Sequence, residues 1–320
     1  MTMLSFQQAP PLSVPLRFFL TAPLFGVGAG LVLLWLGPQA LLSRWAPATV
    51  ALTHLMTAGF MLQVMCGALF QFVPVAAGGN VWRPKWVAGF VHPTISIAVV
   101  LFAAGFLSSN YALLNAATVL FMASLGVFGL AIGLAVTRTP ANSPTVMAIR
   151  FAVGGLIATV VLGAILVTTI QGGTSLPLHA LTDVHAAWGL GGWGLMLLMG
   201  VSFFVVPMFQ MTPPYPKRLQ RYLPPLLMAV LVLWSIQLWV IDAGLWKTMV
   251  FALLVVCGSV FASVTLFLQE KRKRKVTDPT FQFSRGAMLC LLAASASWAL
   301  LRFAPESAGY PETLPSGSVC

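Results

Sequence analysis

Four histidines, His54, His92, His179 and His185, are the side chains best suited to hold a metal or carry a proton near neutral pH. Two of them head long apolar runs: His54 opens HLMTAGFMLQVMCGALFQFVPVAAG, and His185 opens HAAWGLGGWGLMLLMGVSFFVVPMFQ. About twenty apolar residues cross a bilayer as a helix, and at 1.5 Å per residue each imidazole sits about 12–15 Å from the membrane centre. Both runs descend from the same face, so both rings reach one depth. At helical spacing His54 lines up with Ala58, Met61 and Met65, and His185 with Trp188, Gly189, Gly192, Met196 and Met199. Two neutral imidazoles at one level, with glycines clearing room beside them, suit a metal or a haem iron. The competing interpretation is that each only bonds a backbone carbonyl between helices.

The other two histidines differ. His179 falls in a loop, where solvent satisfies it. His92 enters a third apolar run from the opposite face, with Pro93 beside it, which puts it about 20 Å from His54 along the membrane normal. It serves a second site or packs as a polar residue at a proline kink. Methionines supply another soft donor set: Met61 and Met65 with Cys66 in the second run, and Met196 and Met199 in the sixth, are donors that Cu(I) accepts. Methionine is also a common filler of irregular cores.

The elements that must position these groups follow from composition. The chain has 320 residues, 59% hydrophobic and only 7% charged, with six acids. Soluble domains carry about a quarter charged residues, so this composition specifies an integral membrane protein. Nine segments are long enough to span: 17–36, 50–73, 87–108, 111–136, 148–170, 182–208, 223–242, 246–269 and 284–302. The fold expected is all-α, a polytopic transmembrane helix bundle. Residues 1–16 form an N-terminal lead, 17–303 the transmembrane domain and 304–320 a polar C-terminal tail.

A net charge of +11 would suggest nucleic acid in a soluble chain. Here the cations lie in short loops, and only Arg44, Lys247 and Arg302 fall on one side of the nine-span layout. By the positive-inside rule the N-terminus is cytoplasmic and the C-terminus external, in a bacterial-type inner membrane. The KRKRK run at 271–275 anchors that topology. The second and sixth runs also echo each other. Gly59, Gly67 and Pro74 recur as Gly192, Gly200 and Pro207, 133 residues on, as do Phe70 with Phe203 and Val73 with Val206. That offset implies a parallel four-helix repeat. The GVGAG at 26–30 reads as a close helix contact.

The two histidine-headed runs resemble helices of the haem–copper oxidase subunit I superfamily, and especially its small non-oxidase, NnrS-like relatives. The resemblance implies a b haem at His54, a metal at His185, the nearest counterpart of the superfamily's helix-6 histidine, and a fold of repeated four-helix units. The sequence lacks the His-His pair and the late HxH helix of the oxidases, so proton-pumping oxygen reduction is not implied. No carboxylate sits at the centre of a span, and no Ser/His/Asp set or phosphate loop is present, so hydrolysis is not supported.

Together these features point to a haem-binding membrane protein, with copper as a further candidate metal, in electron transfer or in handling nitric oxide and related gases. Its partners would be the lipid bilayer and a redox protein or small gas ligand. If it is an enzyme, it is an oxidoreductase. His54, His185, His92, Gly189 and Gly192 are the cofactor candidates, and His54, His185, Met61, Met65 and Met196 the metal candidates. One alternative is a permease or copper-handling transporter that uses the Met/His faces of helices 2 and 6. Another is an assembly partner whose histidines only pack.

Overall fold

The computed structural model describes residues 9–139, 143–239, 244–274 and 276–303, with side chains to residue 300. The tail 304–320, with Cys320, lies outside the described residues, as does Asp242. Within them lie nine helices long and apolar enough to cross a membrane, and the chain is an all-α, multi-pass membrane protein. They are α1 (Ser13–Leu36), α2 (Pro47–Ala77), α3 (Pro84–Leu107), α4 (Tyr111–Thr137), α5 (Pro144–Ile170), α6 (Leu178–Gln210), α7 (Lys217–Ser235), α8 (Gly244–Glu270) and α9 (Pro279–Phe303).

Proline at the first helical position sets several starts. Pro47, Pro84 and Pro144 each lie there, where the missing N–H has no intrahelical partner to lose. Asn110 caps α4 by accepting from Ala112 and Leu113, and Ser143 caps α5 by accepting from Val146. The first helix starts at Ser13, inside the stretch expected to be a lead. Pro15 fits its first turn, so the sequence offers no barrier there.

Exposed tryptophans mark both rims. Trp35 and Trp239 lie at the rim that carries Arg44, and Trp82 and Trp86 at the other, basic rim. Indoles favour such interfacial levels.

The glycines of the second and sixth helices do parallel work. A Cβ at Gly59 would lie 2.6 Å from Phe25 of α1, and one at Gly67 2.9 Å from Phe18. A Cβ at Gly155 of α5 would lie 2.3 Å from the backbone of Gly192, and one at Gly200 2.8 Å from Ala148. Thus α1 sits on α2 as α5 sits on α6, which is the close approach that small residues permit between membrane helices. The expected contact at GVGAG is only partly seen. Gly26 comes near Phe60, but Gly28 and Gly30 have nothing within 4 Å.

Both helices also depart from α geometry at matching places. A π-helix runs from Leu55 to Met61 in α2, and another from Trp188 to Leu195 in α6. Their first residues are again 133 apart. Through these turns the i→i+5 pattern rotates later side chains away from the 3.6-residue periodicity. The faces drawn through His54, Met61 and Met65, or through His185, Met196 and Met199, therefore do not carry straight down each helix.

Candidate metal centre between helices 2 and 6

The imidazoles of His54 and His185 meet, although the backbones of α2 and α6 stand apart. Their ring centres are 6.3 Å apart and their planes differ by 19°. Both rings are half-buried. Among the described residues, side-chain contacts between the two helices include this ring pair, Met61 against Gly194, and Phe72 against Phe204.

Each ring is held from behind. His54 Nδ1 lies 2.8 Å from the carbonyl of Val50, one turn back in α2, and His185 Nδ1 lies 3.1 Å from the carbonyl of Thr159 in α5. A carbonyl can only accept, so in both rings Nδ1 carries the proton and Nε2 keeps its lone pair. Metal-binding histidines are oriented in this way. With metal–nitrogen bonds of about 2 Å and roughly 1 Å from nitrogen to ring centre, two imidazoles that held one ion would have centres up to about 6 Å apart. The donor chemistry and the separation therefore fit one shared ion.

The surroundings fix the rings further. Phe102 of α3 packs on His54 at 4.4 Å between ring centres. A Cβ at Gly163 of α5 would lie 3.1 Å from His185 Cε1, so that glycine makes room for the ring. Thr159, Gly163 and Phe102 carry no signal in the sequence, since they sit on helices with no motif of their own.

Other candidates lie elsewhere. A Cβ at Gly189 would meet Thr159, and one at Gly192 would meet Trp188 and Gly155, so α5 and Trp188 take the space these glycines clear. Met196 is fully buried in the core, and Met65 packs partly buried against it. His92 is bonded to Thr21 at 2.8 Å and packs edge-on against Phe18. Gln63 of α2 reaches Ser96 of α3, which sets the register of these helices and leaves His92 roughly 20 Å from His54 along the normal. His179 is exposed in the first turn of α6, with its ring 4.4 Å from Trp45. Among the described residues no three His, Cys, Asp or Glu side chains converge as a metal site.

At the rim, Arg44 bonds Asp183 at 2.6 Å, and Trp234 donates to the Asp183 carbonyl. One turn past His185, Trp188 donates to Ser235 of α7. The histidine end of α6 is thus tied to the α1–α2 loop and to α7. Comparison with protein-family models, with curated proteins and with solved structures returns no match for this chain.

Proposed function

We propose that His54 and His185 share one metal, a b-type haem iron, in a membrane protein that transfers electrons or handles a small respiratory gas such as nitric oxide. What supports this most is the near-parallel pair at 6.3 Å with both Nδ1 atoms bonded to carbonyls. A bound haem would supply one-electron redox chemistry, and with both histidines on the iron a diatomic gas would bind only where one of them gave way. The chain's own residues orient the two lone pairs through Val50 and Thr159, and shield them with Phe102. The likeness to the NnrS-like relatives of oxidase subunit I agrees with this assignment.

The basic residues support an N-terminus in the cytoplasm, a C-terminus outside and a bacterial-type inner membrane as the location. A reduced-minus-oxidised spectrum of purified protein tests the haem directly. A sharp Soret band that vanishes in His54→Ala supports it, and no band in protein matured with haem available refutes it.

Copper is the second candidate. Met61 approaches Gly194 across the same interface, which puts a thioether between the two histidine-bearing helices. Stoichiometric Cu(I) without a Soret band would favour that assignment and a copper-handling role.

A further inference from the structure

Gln63 lies nine residues past His54 on α2, about 13 Å deeper, and is fully buried. Its Nε2 donates to Ser96 at 2.9 Å, and its Oε1 has no partner in the protein. Exchanging the two ends of the amide would strand the –NH2 instead. Leaving a buried polar atom unpaired costs about 1–3 kcal/mol, and lipid offers no relief. A leucine would fill similar space without that cost. At the same depth on α6, eight residues past His185, the buried indole N–H of Trp193 is also unpaired. An unpaired acceptor and an unpaired donor at one level of the core are the partners a buried water needs.

Polar groups continue from Gln63 toward the basic rim. Ser96 donates to the carbonyl of His92. His92 Nε2 lies 2.8 Å from Thr21 Oγ1, and Thr21 donates to the carbonyl of Arg17. The Thr21 hydroxyl proton is thus committed to Arg17, so His92 donates through Nε2 and keeps the lone pair on Nδ1. The Arg17 guanidinium lies over Gly89, with Nη1 3.6 Å from where a Cβ would be. A surface cavity of about 490 Å³, lined by Lys85, Trp86, Gly89 and Phe90, opens beside it. Hydrogen-bonding groups therefore run from the basic rim to the middle of the bundle on the facing sides of α1, α2 and α3.

We infer that Gln63 and Ser96 bind water inside the bundle, supplied from the basic rim past Thr21 and His92, and that this route brings a proton beneath the histidine pair. Electron uptake by a buried centre is eased when a proton arrives with it. That use rests on the haem proposal; the water site does not.

Radiolytic labelling tests the site in the full chain in lipid nanodiscs. Hydroxyl radicals formed from bound water react close to where they arise. Cys66, with 0% exposure, lies one turn past Gln63, and Cys257, with 2% exposure, serves as the reference on α8. Cys66 is expected to oxidise several-fold faster than Cys257, and to fall to the Cys257 rate in Gln63→Leu. Equal rates in the unaltered protein overturn the water site without any variant. Ser96→Ala is a milder change for use if Gln63→Leu does not fold, and it should slow Cys66 in the same way; an unchanged rate counts against the site. In haem-loaded protein the pH slope of the midpoint potential should flatten in Gln63→Leu. An unchanged slope overturns the proton route. Absence of any haem band overturns the haem proposal alone and leaves the labelling result standing.

Discussion

His54 and His185 face each other at 6.3 Å between ring centres, and each is fixed by a bond from Nδ1 to a main-chain carbonyl. Neither ring depends on the other for its orientation, since one is held within its own helix and the other by α5. This arrangement predicts that a change behind one ring leaves the orientation of the other unaltered.

Replacing either histidine by alanine should abolish metal or haem retention while leaving the bundle folded. Both rings are half-buried at the end of the bundle, and the hydrophobic core below them is built without either one. Purification yield, helical circular dichroism and the visible spectrum read the two effects separately. Retention of a full-strength band in His185→Ala would show that the pair does not share one ion.

Gly163 is the more discriminating position. Its hydrogen leaves the only room for His185 Cε1 on that side, with 3.1 Å to a would-be Cβ. Gly163→Ala should tilt the His185 ring and weaken the metal by roughly tenfold, the scale of losses behind a ligand. Titration of the apo protein with haem or Cu(I) measures this. Gly154→Ala on the same helix meets nothing within 4 Å and should bind as the unaltered protein does.

The legibility of these features was uneven. Most span ends lie within about four residues of their hydropathy limits, because hydrocarbon thickness and the cost of charge leave little freedom. The exceptions are α7, which starts at Lys217 where 223 was expected and ends at Ser235 where 242 was, and the start of α9 at Pro279. The glycine and proline echo pointed to two sister helices, and matching π-turns and matching glycine contacts on α1 and α5 now stand at the echoed positions. The π-turns themselves left no mark in the sequence. Hydropathy does not record where a turn takes an extra residue. For the same reason the roles of Gly189 and Gly192 were not readable. Both were expected to clear space, and the structure fills that space with α5 and Trp188.

Tyr215 gives a prediction independent of any cofactor. It lies between α6 and α7, 2% exposed, with its hydroxyl 2.9 Å from Thr265 and its ring packed among Phe203 and Phe261. Burial pushes its phenol up to about 12, against the smaller opposing effect of the Thr265 bond. The unfolded phenol ionises near its ordinary value of 10, so the stability this residue contributes is complete below pH 10 and is lost as pH rises toward 12. Tyr215→Phe should cost about 1 kcal/mol near neutrality through the lost hydrogen bond and should flatten the alkaline decline. Thermal unfolding across that pH range checks both.

The crossing of α5 and α6 makes the strongest claim on stability. A Cβ at Gly155 would fall 2.3 Å from the carbonyl carbon and oxygen of Gly192, and these are main-chain atoms that cannot swing aside. Gly155→Ala must therefore push the helices apart, at a cost of about 1–3 kcal/mol or more. Thr159 lies one turn further along α5, and its carbonyl holds His185, so the same displacement should lengthen that 3.1 Å bond and loosen the metal ligand. A lowered melting temperature together with weaker metal binding is expected in Gly155→Ala. The equivalent pressure in the first repeat, Gly59→Ala, falls on Phe25, whose Cβ would lie 2.7 Å away and is fixed to its backbone, so α1 and α2 must also part. It should cost stability as well but leave the Thr159–His185 bond unaltered. If the two variants prove equally impaired in binding, the link from the α5–α6 crossing to His185 is wrong.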